Sequence, residues 1–420
     1  MRRVFETLLG FAVLTGVVVG ITTLTPAELP RVTTVEAIRS TKVVCVPAAA
    51  GATVMVDNTT TVTPLGGATT QTNRAVLTGQ ETSVVAEGTD GPTGSTIVGN
   101  DGVRTLTQCV KPVSQGVIAL PATADTQLKI VNPDASEAAI DLTLYGAEGE
   151  IQSLGARGIT LAAYEERAIA LSVLTKKATP VGVSFQASRG RAAVMAITQT
   201  QSSGTAAGPS QLGTSHLLPG IPAGATSSVI VLANPSETRI TANLTAYGTT
   251  PAYHPQGGEN ISVPPHASVS VSLENALLGE ASAIQVNSDA PVMAGMAFTL
   301  GDSAQVAPVS AGTSLGAFTP PGGTLQLTNP GEGDVQATVT ATGADGTEER
   351  ATVTVGTGQT TVHKLPTATE QGQRVVVSSD QPLFGAVVSS GDTGSWAAPL
   401  EPMTAGGTPP LAAELDPELH

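Results

Sequence analysis

Along most of the chain, apolar and polar residues alternate in short runs, as in Ala139-Ile140-Asp141-Leu142-Thr143-Leu144 and Val335-Gln336-Ala337-Thr338-Val339-Thr340. A period of two places every second side chain on one face, the pattern of a half-buried β-strand. Turn-forming residues interrupt these runs at intervals of roughly 8–12 residues, the spacing expected of a β-sandwich. One stretch, residues 272–280, reads as a short helix. The pattern therefore predicts an all-β chain.

A longer repeat overlies the alternation. Asn132-Pro133 leads to Tyr145-Gly146, Asn234-Pro235 to Tyr247-Gly248, and Asn329-Pro330 to Thr342-Gly343, with the same step from Asn to Gly each time. An apolar run precedes every Asn: Leu128-Lys129-Ile130-Val131, Val229-Ile230-Val231-Leu232 and Leu325-Gln326-Leu327. The unit recurs about every 100 residues, which marks an array of similar modules. Structure explains the motif without chemistry: Asn bonds its own backbone, and Pro offers no N–H to a β-ladder. The second halves also correspond, with Ala283-Ile284-Gln285-Val286 matching Arg374-Val375-Val376-Val377. Ser288-Asp289 and Ser379-Asp380, each shortly before a Pro, read as strand-joining turns.

These signals divide the chain into an apolar N-terminal helix (1–24), a stalk (25–42), and a first β module (43–112) with its own strand-then-Asn signal at Asp57-Asn58. Three sandwich repeats follow at 113–203, 214–308 and 319–399, and a disordered tail at 400–420. Linkers are expected at 204–213 and 309–318. The fold class is tandem immunoglobulin-like β-sandwich modules after an N-terminal transmembrane helix. The N-terminal apolar run follows Arg2-Arg3 and supports two readings, a spanning anchor or a cleaved signal peptide. Both export the remainder, as a single-pass membrane protein or as a secreted one.

Composition narrows the partners. A net charge of −15, with only 19 Lys and Arg, argues against nucleic acid. The only two cysteines, Cys45 and Cys109, form an even pair in an exported module and read as a disulfide.

Candidate chemistry is sparse. Gly312-Thr313-Ser314-Leu315-Gly316 matches a nucleophile-elbow pattern, but an elbow needs a strand-to-helix turn in an α/β sheet, which nothing here predicts. The histidines (His216, His254, His266, His363 and His420) lack metal-ligand spacing, so no metal or cofactor is expected. Asn100-Asp101-Gly102 and Asp345-Gly346 read as turns rather than calcium loops. Glycan sites commonly stack sugars on aromatic rings, and the single tryptophan, Trp396, is the one ring singled out as a ligand contact.

The N-terminal apolar segment, Cys45-Val46-Pro47, Thr107-Gln108-Cys109-Val110-Lys111-Pro112 and the strand-Asn-Pro modules together resemble an actinobacterial group of uncharacterised, membrane-anchored extracytoplasmic proteins. That resemblance covers most of the chain and implies an envelope role beside a large membrane glycosyltransferase. It implies no catalytic residues. The expected function is a non-enzymatic envelope scaffold or accessory to polysaccharide assembly, built as an extended array. The alternatives are a protein that binds cell-wall glycan and a serine hydrolase using Ser314.

Overall fold

A computed structural model describes residues 41–89, 91–98, 105–121, 125–175, 180–199, 204–343, 345–366, 372–389 and 395–403. The expected anchor (1–24), nearly all of the stalk, His420 and Asn100-Asp101-Gly102 lie outside the described residues. Among those described, no helix is long and apolar enough to cross a membrane.

The chain is all-β, with many small antiparallel sheets arranged as tandem repeats. Module 3 shows the plan. Strands Ile261–Val263, Ile240–Tyr247, the first half of Ser282–Leu300, and Gly213–Ile221 form one sheet. Strands Ser268–Ser272, Ser227–Ala233, the second half of Ser282–Leu300, and Asp302–Val306 form the other. Ile230, Leu232, Leu244, Ile284 and Met296 pack between them as a buried core. Alternation supplies that core through the inward apolar positions of each strand, while the opposite-facing Val231 and Met293 meet module 2.

The same pairing order recurs in the other modules. In module 4 the strand Gln373–Ser389 spans both sheets. In module 2 its place is taken by two strands, Pro180–Arg189 and Ala193–Gln199, and in module 1 by Val84–Gly88 and Thr93–Val98. In each module the strand that follows this element (Thr105–Gln108, Gly204–Ala207, Asp302–Val306 and Trp396–Pro399) is its outer neighbour.

Several sequence expectations change. Ser288-Asp289 and Ser379-Asp380 are not turns but lie inside the two long strands, where the strand leaves one sheet and enters the other. The hydroxyl of Ser288 bonds Ala290 O at 2.8 Å and that of Ser379 bonds Gln381 O at 2.7 Å, bracing the same bend. Ser272 ends the strand Ser268–Ser272 and residues 273–280 form turns after it, because Leu278 and Gly279 both take positive φ and no helix can run through them. The linker 204–213 contains the strand Gly204–Ala207, and 309–318 contains most of the strand Gly312–Thr319. Thr41 and Lys42 belong to the first strand, not to a stalk. Residues 400–403 belong to the fold: Leu400 is buried, and Glu401–Pro402 pairs with Leu315 and Gly316.

The modules do not form an extended array. Residues 40–408 are one compact unit, and consecutive modules share buried contacts. Val44 and Val46 of module 1 pack with Val131 and Met195 of module 2. Ala119 and Tyr145 of module 2 pack with Val231 and Met293 of module 3. Ala386 and Val388 of module 4 join the core of module 3. Module 4 then meets module 1, since Leu106 and Ile97 complete its core. The Arg74 guanidinium lies 5.2 Å from the Phe318 ring centroid and donates to Gly343 O at 3.1 Å. Arg374 also approaches Asp57 at 3.6 Å. The four modules close a cycle.

Candidate functional site: the central cavity

The repeat motif is a hydrogen-bond device. Asn132 donates through Nδ2 to Ser136 O (2.7 Å) and Ala162 O (2.8 Å), and its Oδ1 accepts the Asp134 N–H (3.1 Å). Asn234 does the same with Thr238 O, Val263 O and the Ser236 N–H. Asn329 repeats it with Gly333 O, Val355 O and the Gly331 N–H. Each Asn is buried, so the amide satisfies a turn and a neighbouring strand end where water cannot reach. Pro133, Pro235 and Pro330 follow without needing an N–H partner.

The glycine end of the motif lies where the next module docks. Tyr145 O accepts the Ser268 hydroxyl of module 3 at 2.6 Å. Tyr247 O accepts the Thr360 hydroxyl of module 4 at 2.7 Å, and Gly248 O accepts the Thr360 N–H at 2.7 Å. Gly343 O accepts Arg74 of module 1. Gly146 closes a hairpin against Gly149.

A second repeat builds the centre of the cycle. Pro112, Pro209, Pro308 and Pro402 each precede a Gly in the pattern Pro-x-x-x-Gly (Gly116, Gly213, Gly312 and Gly406). Around these prolines, each module's closing segment bonds back to that module's first strand. Val110 pairs with Val44, Ser210 with Val117, and Val309 with Leu217, while the Met403 N–H bonds Ser314 O. In module 1 the clasp is covalent as well, because Cys45 and Cys109 form a disulfide next to the Val44–Val110 bridge. The last strands (Thr105–Gln108, Gly204–Ala207, Asp302–Val306 and Trp396–Pro399) each contact the last strands of both neighbouring modules.

Between the closing segments lies a cavity of about 240 Å³ lined by all four modules. Its wall mixes apolar and polar surface in comparable amounts, with Val43, Leu106, Val110, Met195, Val309 and Met403 among its apolar residues. Three amides, Gln108, Gln211 and Gln305, interrupt it. Gln305 is only 8 % exposed, and its Oε1 is buried with no protein partner. Lys111 and Glu401, both exposed, are the charged residues of the lining, one of each sign.

Trp396, Ser314 and the described histidines singled out from sequence sit elsewhere. Trp396 is 4 % exposed and packs in the core of module 4, so it presents no face to a sugar; its neighbour Ala397 lines the cavity. Ser314 lies within the strand Gly312–Thr319, opposite Ser378, and not on a strand-to-helix turn. His216 is held by Gly213 O and Val292 O at 3.0 and 2.8 Å, and its burial pushes its pKa down. His254 bonds Leu244 O, and His266 meets Glu237. Asp345 caps its turn by accepting the Thr347 N–H and hydroxyl. Among the described residues, no group of three His, Cys, Asp or Glu side chains converges to hold a metal ion.

No curated protein matches the chain. One solved structure, described as a tetra-tandem repeat in the extending region of a large adhesion protein, is 14% identical and covers 88% of this chain and 96% of its own. Its TM-score of 0.12 is too low to relate the two folds. A family model matches twice, over residues 68–361 and again over 225–413, and the overlap of the two matches is what internal repeats produce. Together those matches span most of the sequence, and the chain belongs to a family of unknown function, DUF5719.

Proposed function

We propose that this protein is a non-enzymatic, extracytoplasmic scaffold or accessory protein of the cell envelope that assists polysaccharide assembly. The observation that carries this reading is the closed cycle of four β modules joined by buried interfaces. Such a cycle holds four outer faces at fixed spacing, which suits a platform for partners. The disulfide supports an oxidising, exported setting. In this proposal the modules are immunoglobulin-like, and the N-terminal apolar segment holds them at the membrane or, if cleaved, releases them. The partner is an envelope glycosyltransferase or cell-wall glycan, and the origin is actinobacterial.

In vivo crosslinking of the full chain in membranes of its host tests the reading. Recovery of a membrane glycosyltransferase or another wall-synthesis enzyme is expected. Recovery of wall glycan alone would move the assignment to glycan binding, on a surface other than Trp396. Labelling of Ser314 by a serine-reactive probe, lost in Ser314→Ala, would overturn the non-enzymatic reading.

A further inference from the structure

The geometry points to an exposed glycan-binding subsite at the module 1–2 boundary, with Tyr164 as the platform for a neutral sugar ring. The turn that precedes strands Glu166–Ala170, Ser268–Ser272 and Gln359–Lys364 carries the argument. Tyr164, His266 and Gly358 stand two positions before Glu166, Ser268 and Thr360, which pair opposite the residue preceding each motif Asn. All three take a left-handed φ, of 56°, 53° and 64°. Glycine adopts that conformation without steric cost, whereas a bulky side chain there is strained. His266 offsets the strain by stacking on Tyr145 of module 2 and meeting Glu237. Tyr164 instead stays 46 % exposed, and it is the one exposed Phe, Tyr or Trp among the described residues. A strained aromatic held in water, at a turn where glycine suffices, marks a contact for a partner.

The neighbouring side chains select the ligand class. The Tyr164 N–H bonds Asp134 O at 3.2 Å, and Asn132 ties the same two turns together through Ser136 O and Ala162 O. Around them Arg191 and Lys42 hold Asp134, Arg167 pairs with Glu165, and Glu87 acts on Arg191. The side chains of Glu165, Arg167 and Arg191 are 37%, 43% and 41% exposed, so a ligand can reach them. These three cations and three anions cancel, and the patch favours neither a polyanion nor a polycation. Planar carboxylates and guanidinium groups beside an aromatic face match a pyranose: its C–H groups cover the ring, and its hydroxyls both donate and accept. A lipid surface would instead strip water from these charges. The inference rests on the reading that cell-wall glycan is a partner.

The test uses the full chain and polysaccharide released from the host's cell wall, freed of protein and split by anion exchange into neutral and acidic pools. Biolayer interferometry is expected to show saturable binding of the neutral pool. Tyr164→Gly is expected to weaken that binding roughly tenfold or more and to raise the urea midpoint, because it removes the ring and the strain together. Tyr164→Trp, which keeps a ring face, is expected to bind within about threefold of the unmutated chain. The neutral pool is also expected to shield Tyr164 from nitration by tetranitromethane, read by peptide mass spectrometry. Neutral-pool binding that survives Tyr164→Gly would overturn the site while leaving glycan as a partner; no binding to either pool would overturn both. A lowered midpoint in Tyr164→Gly would overturn the site too, since the ring would then serve the fold. Tighter binding of the acidic pool would overturn the neutral class.

Discussion

The Ser268 hydroxyl donates to Tyr145 O at 2.6 Å while accepting the Gly182 N–H at 3.0 Å, so one buried oxygen of module 3 ties together two strands of module 2. Thr360 holds the corresponding position in module 4 and donates to Tyr247 O. At the same register in module 2, Glu166 reaches module 1 and accepts the Ser83 N–H at 2.9 Å. These residues sit opposite the position before each motif Asn, so the repeat that builds a module also docks it. Ser268→Ala leaves a buried N–H and a buried C=O without partners. The expected loss is about 1–3 kcal/mol, read as a lower urea midpoint at unchanged slope. Thr360→Val should cost a similar amount, and the double variant should be additive because the two sit at different interfaces.

The module 2–3 interface also depends on the absence of a side chain. A Cβ on Gly295 would lie 1.8 Å from Ala119 O of module 2, and the obstacle is backbone that cannot turn aside. Gly295→Ala is expected to destabilise by about 1–3 kcal/mol or more through overpacking. A spectroscopic or crosslinking readout of the Ser268–Tyr145 contact should show the interface opening. Gly51→Ala provides the contrast, since that glycine has open space around it but a φ of 79°, and its cost should be conformational and confined to module 1.

What the sequence revealed and what it hid divide along contact range. The Asn-Pro repeat was legible because its bonds reach two and four residues along the chain, as Asn132 does to Asp134 and Ser136. The disulfide was legible because there are only two cysteines. Closure of the cycle was not, because Arg74 finds Phe318 and Gly343 across most of the chain, and no local pattern encodes such a meeting. Pro-x-x-x-Gly is visible in the sequence but falls at module ends, in expected linkers and in the expected tail, where Gly and Pro resemble punctuation. Gln305 could not be singled out by type, because its significance is burial without a partner. Trp396 illustrates the converse, a chemically conspicuous residue that packing uses as core.

Asn234 tests the motif itself. Its amide nitrogen faces Thr238 O and Val263 O, and its Oδ1 accepts from the Ser236 N–H and hydroxyl. Asn234→Ala strands several buried groups and should cost about 3 kcal/mol. Asn234→Asp should cost more, because a carboxylate oxygen would then face two carbonyl oxygens. Parallel substitutions at Asn132 and Asn329 are expected to rank the same way by urea denaturation. A markedly milder effect at one of them would break the equivalence of the three modules.

The disulfide acts on the cycle through the clasp of module 1. Cys109 follows the strand that contacts modules 2 and 4, and it also lines the cavity. The Cys45→Ser, Cys109→Ser double variant should lose about 2–5 kcal/mol of stability. Limited proteolysis should cut module 1 first. Fraying confined to the clasp of module 1, with all four interfaces retaining protection from amide exchange, would show that the cycle survives without its covalent clasp.

Asp134 places a pH-dependent contact at the module 1–2 boundary. Hydrogen bonding to Arg191, then to Lys42 of module 1 at 2.8 Å, outweighs partial burial and holds its carboxyl at about 2, below the usual 3.8. Because the folded value is the lower one, the charged form favours the fold. The contribution is complete above the unfolded pKa and disappears as pH falls through about 2. Because the carboxylate is only partly buried, solvent screening reduces the contribution to about 1 kcal/mol. Asp134→Asn should therefore be less stable than the unmutated protein at pH 7 by about that amount, with the gap closing as pH is lowered from 4 to 2. Added salt should narrow the gap at pH 7 as well. Thermal melts of both proteins across that range provide the measurement, and a gap that stays constant with pH would assign the effect to packing rather than charge.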